Sequence, residues 1–205
     1  MDAASWAAAS AKLAADDPVM ARLIAAHPTV WPAPNDDPFS VLCHAVVGQQ
    51  LSLKAAEAIW QRLLGGLGGI APAPLLAAEE ETLRALGLSR RKVEYLRDLS
   101  QRWLDGRLDP SRWAVLDDEA LIAELSAVRG IGRWTAEMFL LFHLQRPDVF
   151  PVDDLGLQKA AARHYGNGEL FDRAELRRLG ERWAPWRSLA TWFLWRSLEP
   201  VAVQY

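Results

Sequence analysis

Two adjacent acidic residues, Asp153 and Asp154, stand at a point of the sequence where a carboxylate could do chemistry. They follow a turn over residues 149–152, and Leu155 and Leu157 then begin a helical spacing of apolar residues. The dipole and the exposed N–H groups at a helix N-terminus keep such a carboxylate ionised. A fixed anion can stabilise positive charge in a reacting group, or can orient and deprotonate water. Because most acids at helix starts are simple caps, the pattern alone leaves both roles open.

A glycine turn precedes this acidic pair and has the sequence Arg129-Gly130-Ile131-Gly132-Arg133. It joins two apolar segments, the second of which separates it from the acidic pair. The two glycines allow positive φ angles and leave space for an approaching group. Their N–H groups could converge on a phosphate oxygen, and the two arginines would add positive charge beside it. The alternative is an ordinary tight turn between antiparallel helices.

The charge distribution restricts how this chain could bind a nucleic acid. It has 205 residues, 51% of them apolar, and a formal net charge of −3. Residues 1–83 carry four Lys/Arg and nine Asp/Glu, a net charge of −5, whereas residues 158–196 carry eight and four, a net charge of +4. This balance argues against binding through bulk positive charge. Any surface that contacts a nucleic acid must therefore consist of local patches such as Arg90-Arg91-Lys92. This segment could equally be the solvated start of a helix.

A single cysteine, Cys43, excludes an internal disulfide, and its apolar surroundings favour a buried side chain. No charged segment followed by an apolar run marks a secretory signal or a membrane span. The four histidines show no ligand-like pairing, so no zinc site is expected. These features predict a protein of the reducing cytoplasm that works away from membranes.

Apolar residues recur at three- and four-residue spacing along nearly the whole chain, and no stretch alternates as a half-buried strand would. The fold class is therefore predicted to be all-α. We expect Asp17 to begin one helix, Gly65-Gly66 and Gly166 to end two others, and residues 65–74 to form a loop. The Pro-rich segment 28–38 is predicted to cross between two lobes. Helices are expected at about residues 3–15, 18–26, 38–48, 52–64, 79–86, 90–105, 117–127, 132–145, 153–165, 172–182 and 186–198.

The pattern around the glycine turn, continued through Trp134-Thr135-Ala136, resembles the helix-hairpin-helix DNA glycosylase superfamily. Within that superfamily it looks like the DNA-3-methyladenine glycosylase II branch, the alkylpurine DNA glycosylases. The segment Phe150-Pro151-Val152-Asp153-Asp154-Leu155 resembles the family's active-site segment and stands at the family's distance from the hairpin. The likeness runs from about residue 38 to residue 198, which is most of the chain.

The resemblance implies a two-lobed helical fold with the active site in the cleft between the lobes. Residues 38–145 would form one lobe, and residues 1–37 with 146–205 would form the second, which carries the catalytic acid. The implied activity is that of a monofunctional DNA glycosylase of base excision repair. Such an enzyme flips alkylated purines of the 3-methyladenine type out of duplex DNA and hydrolyses the N-glycosidic bond, leaving an abasic site. A monomer, associated with the nucleoid if bacterial and needing no cofactor for catalysis, is expected.

In this comparison Asp154 takes the catalytic position, where its anion would stabilise an oxocarbenium-like sugar. Asp153 would cap the helix or pair with an arginine, and it is the alternative catalytic residue. An alkylated purine already carries positive charge, so its departure needs little acid assistance, and one carboxylate can suffice. Bifunctional members of the family carry a lysine in the second hairpin helix, where this chain has Trp134. Hydrolysis without strand cleavage is therefore expected.

The segment Gly48-Gln49-Gln50-Leu51-Ser52 resembles the family's wedge loop, which fills the gap left by a flipped base. Gln49 matches a residue that the family shares, and either Gln50 or Leu51 could fill the gap. The alternative is a plain helix end followed by a cap at Ser52.

A base pocket and a cation site also follow from the resemblance. The tryptophans at positions 134 and 195 match pocket positions whose electron-rich faces can stack on a cationic purine. The expected pocket residues are Trp134, Trp195, Met138 and Leu155. Na+ or K+ could bind at the hairpin through the carbonyls of Ser126, Val128 and Ile131.

Two rival functions stay open at the level of sequence. One is a glycosylase that removes oxidised or mismatched bases. The other is a helix-hairpin-helix module that binds double-stranded DNA without catalysis. Release of 8-oxoguanine, but not of alkylpurines, would favour the first rival, and base release that is unchanged by Asp154→Asn would exclude the proposed role of that carboxylate.

Overall fold

The computed structural model describes residues 3–27 and 37–198, and within these residues every regular element is helical. The prediction of an all-α fold is confirmed. α10 continues directly into a π-helical turn, Phe139–His143. The helices are α1 (Ala3–Asp16), α2 (Pro18–Ala26), α3 (Pro38–Gly48), α4 (Leu53–Leu67), α5 (Pro72–Ala77), α6 (Glu80–Ala85), α7 (Arg90–Leu104), α8 (Pro110–Trp113), α9 (Asp118–Ser126), α10 (Arg133–Met138), α11 (Leu155–Tyr165), α12 (Arg173–Glu181) and α13 (Arg187–Arg196).

The chain divides into two compact units. Unit 1 comprises Met1–Pro34 and Leu140–Tyr205, and unit 2 comprises Asn35–Phe139. α13 is the central helix of unit 1, because it is buried all round from Ser188 to Leu194. Around it pack side chains from both ends of the sequence, which form one apolar core: Trp6, Leu13 and Met20 with Leu157, Trp183 and Phe193.

In unit 2, α3 is buried over most of its surface. Leu42, Cys43, Val46 and Val47 are all fully enclosed. Burial raises the pKa of the Cys43 thiol well above its usual value, so this cysteine is an apolar filler, as predicted. The loop that follows α3 therefore starts from a firmly packed helix end.

Helix starts with a side-chain cap lie where the sequence predicted them, but the predicted helix end at Gly65-Gly66 and the predicted loop at residues 65–74 are wrong. Gly65 and Gly66 lie inside α4, which ends at Gly68 in the left-handed conformation with φ 68°. Pro72 then begins α5, which packs against α7. A glycine inside a helix is tolerated when neighbouring turns are packed, and proline suits the first turn. Most of the predicted crossing at 28–38 lies outside the described residues.

The short helix α8 was missed because four residues carry no periodic signal. Asp109 caps it through a hydrogen bond from the Ser111 N–H. Its Trp113 is buried and contacts two aromatic rings edge-on, Trp103 at 5.8 Å and Phe139 at 5.4 Å between ring centroids. Tertiary packing of this one tryptophan, rather than local propensity, fixes the helix.

A buried carboxylate, Asp17, joins α2 to the rest of unit 1. Its Oδ1 caps α2 by accepting the Val19 N–H at 2.8 Å, and its Oδ2 accepts hydrogen bonds from the Tyr165 hydroxyl and the Trp183 indole. Burial alone would raise the pKa of Asp17, but the bonds from Trp183, Tyr165 and the backbone hold it below its usual value.

This lowered pKa predicts a loss of stability in acid. A carboxyl whose folded pKa lies below its unfolded pKa contributes stability above the unfolded value, and that contribution is lost as the pH falls through the folded value. We expect Asp17→Asn to lower the free energy of unfolding at pH 7 by about 1–3 kcal/mol, with the difference from wild type shrinking below about pH 4. Urea unfolding across pH 3–7 measures this. Asp16→Asn, which changes an exposed residue paired with Lys12, should show no such effect.

Candidate functional site

Asp154 is the last residue before α11 and caps that helix. Its Oδ1 accepts a hydrogen bond from the Leu157 N–H at 2.7 Å and another from the Trp195 indole Nε1 at 2.7 Å. The carboxyl group is half-buried. Donors on α11 and α13 thus fix one oxygen of an acid at a helix N-terminus, where the dipole favours negative charge. Capping and chemistry are compatible roles for this residue.

Residues 146–149, which lead to Asp154, are held by hydrogen bonds to the start of α13. The Ser188 hydroxyl donates to the Arg146 carbonyl at 2.6 Å and accepts the Val149 N–H at 2.9 Å. Arg187 forms a two-bond ion pair with Asp148, at 2.8 Å for each bond. Because these residues are fixed, the carboxylate of Asp154 at the start of α11 has little freedom to move.

Asp153 is exposed and forms an ion pair with Arg173. Of the two roles predicted for Asp153, pairing with an arginine is confirmed, and the cap is formed by Asp154 instead. A capping side chain must belong to the last non-helical residue, so that it reaches the N–H groups two or three residues further on. Asp154 meets this condition and Asp153, one residue earlier, does not.

Gly156 allows the Trp195 indole to reach Asp154. A Cβ atom at position 156 would lie 3.0 Å from Asp154 Oδ1 and 3.1 Å from Trp195 Cδ1, both tighter than ordinary van der Waals contact. On its other side Trp195 stacks on Phe142, with ring centroids 5.8 Å apart and 18° between the ring planes. Sequence reasoning missed Gly156; its only signal is a glycine in the first turn of a helix.

The four predicted pocket residues are divided between the units. Trp195 and Leu155 belong to unit 1 together with Asp154, and Trp134 and Met138 belong to α10 in unit 2. Leu155 is 67% exposed and Trp134 is 42% exposed, whereas Met138 is buried. That the four line one pocket stays a prediction.

The glycine turn has one strained residue rather than two. Gly130 has φ 84°, and a Cβ atom there would lie 2.1 Å from Tyr95 Cδ2, so no other residue fits. Gly132 has φ −89° and ψ 171°, which is extended backbone, because it occupies the cap position of α10. Only Gly130 therefore uses the positive φ that both glycines allow, and no atom lies within 4 Å of a Cβ added at Gly132.

The backbone of this turn presents open donors. Among the described residues, none accepts a hydrogen bond from the N–H of Gly130 or of Gly132. The neighbouring N–H groups are used internally: that of Arg129 donates to Asp98 at 2.8 Å, and that of Ile131 donates to the Val128 carbonyl at 3.1 Å. Two free N–H groups on a rigid turn suit a phosphate oxygen.

The two hairpin arginines are bound to acidic side chains. Arg129 pairs with Glu94 at 3.0 Å. Arg133 hydrogen-bonds Glu119 and also pairs with the buried Glu137, and these carboxylates raise the pKa of its guanidinium. The positive charge expected beside the turn is thus shared with carboxylates, and a direct phosphate contact by either arginine stays a prediction.

The three predicted wedge residues differ in their surroundings. Gln49 donates its Nε2 hydrogen to the Gly130 carbonyl at 2.8 Å, so its side chain is bound to the hairpin. Gln50 is exposed with φ 59°, and Leu51 is 40% exposed. Ser52 caps α4 by accepting the Ala55 N–H at 3.3 Å. The segment therefore contains both a helix cap and an exposed loop tip. Gln50 and Leu51 at the tip are the residues exposed enough to insert into a DNA base stack.

Other kinds of site find no support in the described part of the chain. Its His, Cys, Asp and Glu side chains form no group of three that could hold a metal ion. Within residues 3–27 and 37–198, no helix is both long and apolar enough to cross a bilayer.

Three features together define a class of DNA repair proteins. They are a helical fold, a glycine hairpin with open N–H groups, and a carboxylate held in place one helix after the hairpin. Residues 43–185 match the family described as "HhH-GPD superfamily base excision DNA repair protein", and this chain belongs to that superfamily. The family resemblance noted in the sequence is confirmed.

More particular likenesses are to 3-methyladenine glycosylases. "DNA-3-methyladenine glycosylase 1" of Schizosaccharomyces pombe is 34% identical over 165 residues, which cover 78% of this chain and 72% of that protein. The structure of DNA-3-methyladenine glycosidase from Bacillus halodurans superimposes with a TM-score of 0.85 at 38% identity, covering 92% of this chain and 88% of that one. The Schizosaccharomyces pombe 3-methyladenine DNA glycosylase solved with abasic DNA gives a TM-score of 0.78 at 31% identity, covering 92% and 95%.

Proposed function

We propose that this chain is a monofunctional DNA glycosylase that removes alkylated purines from double-stranded DNA in base excision repair. The single observation that carries the proposal is the Asp154 carboxylate, held at the N-terminus of α11 by the Leu157 N–H and the Trp195 indole. The relatives named for 3-methyladenine excision, and the one solved with abasic DNA, support the choice of substrate and product.

The chemistry follows from the fixed anion. The bond between C1′ and the purine nitrogen breaks with its electron pair going to the base, and an alkylated purine that was cationic leaves as a neutral molecule. The sugar becomes oxocarbenium-like, and the negative charge of Asp154 stabilises it. Water then forms the new bond to C1′ and loses a proton to Asp154 or to solvent. The product is an abasic site.

The remaining residues bind and position the DNA. The N–H groups of Gly130 and Gly132 bind a backbone phosphate, which positions the protein on DNA without selecting a sequence. Gln50 or Leu51 enters the stack where the base has left. Trp134, together with Trp195, Met138 and Leu155, receives the flipped purine, because an aromatic face attracts a cationic base more than a neutral one.

A lysine nucleophile has no place in this proposal. The sequence has four lysines, at positions 12, 54, 92 and 159, and the hairpin helix carries Trp134 instead. Lys92 is engaged with two carbonyl groups. Hydrolysis without a covalent intermediate follows, so the DNA strand stays intact until alkali is added.

A monovalent cation at the hairpin is part of the proposal. The carbonyls of Ser126, Val128 and Ile131 would hold Na+ or K+, for which oxygen ligands are suited, and the ion would add positive charge beside the bound phosphate. The Ser126 hydroxyl is buried without a hydrogen-bond partner among the described residues, and an ion or its water bound beside it would satisfy this polar group. The Val128 carbonyl already accepts the Ile131 N–H and has one remaining lone pair.

Base release from a defined duplex tests the proposed function. Duplex oligonucleotides carrying 7-methylguanine, 1,N6-ethenoadenine, hypoxanthine or 8-oxoguanine are incubated with the protein, and strand scission is compared with and without alkali. We expect scission of an alkylated substrate only after alkali, and no protein–DNA adduct with borohydride. Release of 8-oxoguanine alone would favour the oxidised-base rival, and DNA binding with no release would favour the non-catalytic one.

Gly156→Ala should separate activity from stability. Alanine in place of a helical glycine ordinarily raises the free energy of unfolding by up to about 1 kcal/mol, but crowding of Asp154 and Trp195 offsets that gain here, so we expect little net change. The added Cβ displaces the indole from Asp154, so we expect kcat to fall roughly 10-fold because of misplacement of the catalytic group. Gly65→Ala is the matched control, since a Cβ there meets no atom within 4 Å and should stabilise without changing kcat. Unchanged kcat in Gly156→Ala would show that Trp195 does not position the acid.

A further inference from the structure

Lys92 makes an interaction that its place in a basic segment does not suggest. It is the third residue of α7, yet its side chain is half-buried and turned toward the protein. The Nζ group donates to the Val47 carbonyl at 2.7 Å and to the Gln49 carbonyl at 2.9 Å. Desolvation lowers the pKa of this ammonium, which is paired with backbone oxygens rather than with a carboxylate.

These two carbonyls belong to the C-terminus of α3 and to the first residue of the loop that follows it. The last carbonyls of a helix lack partners within the helix, and a cation placed there satisfies them and the helix dipole together. Lys92 therefore fixes the point at which the loop leaves α3. Its ammonium is engaged with these two backbone carbonyls.

The same loop is held a second time by its own side chain. Gln49 donates to the Gly130 carbonyl, in the middle of the phosphate-binding turn. Residue 49 is thus bound through its carbonyl to α7 and through its amide side chain to the hairpin. We call these two contacts of residue 49 the brace. Gln50 and Leu51 lie between the brace and the cap at Ser52, and both are exposed at the tip of the loop.

We propose that Lys92 is a positioning residue for base flipping, which together with Gln49 locks the wedge loop to the hairpin. This rests on the proposed function in DNA. A loop ordered before DNA arrives inserts its tip without first losing conformational freedom, so the flipped state is favoured over the stacked state. Lys92 itself contacts no DNA in this scheme, in contrast to a phosphate-binding lysine.

Flipping and salt dependence distinguish the two roles. Each variant is made in the Asp154→Asn background, and 2-aminopurine beside a 7-methylguanine reports unstacking. We expect Lys92→Met to lower the flipped fraction about 10-fold as a shift of the two-state population, and Lys92→Arg to restore most of it. The slope of log K against log salt should equal that of the parent. A slope smaller by about 0.9, the value for one lost phosphate contact, would overturn the proposal, as would unchanged flipping.

Hydrogen exchange on the free protein provides a readout without DNA. Amides of residues 48–52 should exchange faster in Lys92→Met, while those of α13 stay as in wild type. Gln49→Met, which removes the other half of the brace, should show the same local effect, and the two changes should be non-additive. Lys12→Met, on α1 and paired with Asp16, is the charge control and should change neither exchange nor flipping. If Lys92→Met unfolds, Gln49→Met alone must reproduce the loss of flipping, and its failure to do so would overturn the proposal.

The two proposals fail in different ways. A wild-type protein that releases no base from any alkylated duplex contradicts the proposed function, whatever the exchange data show. A wild-type protein that releases bases, combined with a Lys92→Met variant whose loop exchange and flipping are unchanged, contradicts only the role of Lys92.

Discussion

Asp154→Asn should lose base release while still binding DNA. The amide oxygen of asparagine can accept the Leu157 N–H and the Trp195 indole, so α11 keeps its cap and the protein keeps its fold. What disappears is the negative charge that stabilises the cationic sugar. We expect the single-turnover rate of base release to fall on the order of 10²–10⁴-fold, the range for a positioned acid or base. Fluorescence anisotropy with an abasic duplex should give a Kd close to that of wild type.

The neighbouring acid gives the matched control for this variant. Asp153 is exposed and paired with Arg173, so Asp153→Asn removes an equal charge one residue away. We expect its rate to stay within about threefold of wild type, because an exposed ion pair contributes little. A large loss in Asp153→Asn with a normal rate in Asp154→Asn would reverse the assignment.

Gly130→Ala should have the largest effect on stability. The residue has φ 84°, and the added Cβ would lie 2.1 Å from the Tyr95 ring. Left-handed backbone strain and overpacking together should lower the free energy of unfolding by about 2–4 kcal/mol. Distortion of the turn also moves the N–H groups that we propose bind phosphate, so affinity for DNA should fall. Urea unfolding and anisotropy measure the two effects.

Gly68→Ala separates the two causes of that loss. Gly68 also has a positive φ, 68°, but no atom lies within 4 Å of an added Cβ. It should therefore show the cost of a positive φ alone, about 1–2 kcal/mol, with DNA affinity unchanged. Equal losses of stability in the two variants would mean that contact with Tyr95 contributes nothing to the shape of the turn.

Features that the sequence allowed us to predict are those set by neighbours along the chain. Asp17 caps α2 through N–H groups two and three residues on, and Gly166 ends α11. Periodic apolar spacing likewise predicted the long helices, because it reports burial within one element. The candidate acid, Asp154, was predicted because its segment resembles the family's active-site segment and follows the hairpin at the family's distance.

Features that the sequence did not reveal depend on partners far along the chain. Lys92 is bound to a carbonyl 45 residues away, and the Trp195 indole to a carboxylate 41 residues away. No local pattern distinguishes a lysine turned inward from one turned to solvent. Gly156 matters only because Trp195 lies against it, and the strain at Gly130 follows from the position of Tyr95. Such requirements appear only when the folded neighbours are known.

The central claim is that the Asp154 carboxylate stabilises positive charge on the sugar, and binding of charged and neutral abasic analogues tests it without any turnover. Two duplexes differ in a single position, which carries either a cationic pyrrolidine resembling the oxocarbenium-like sugar or a neutral tetrahydrofuran. We predict that wild type binds the pyrrolidine duplex at least about 100-fold more tightly, as expected for a transition-state analogue, and that Asp154→Asn loses this preference. An equal preference in both proteins would contradict the account.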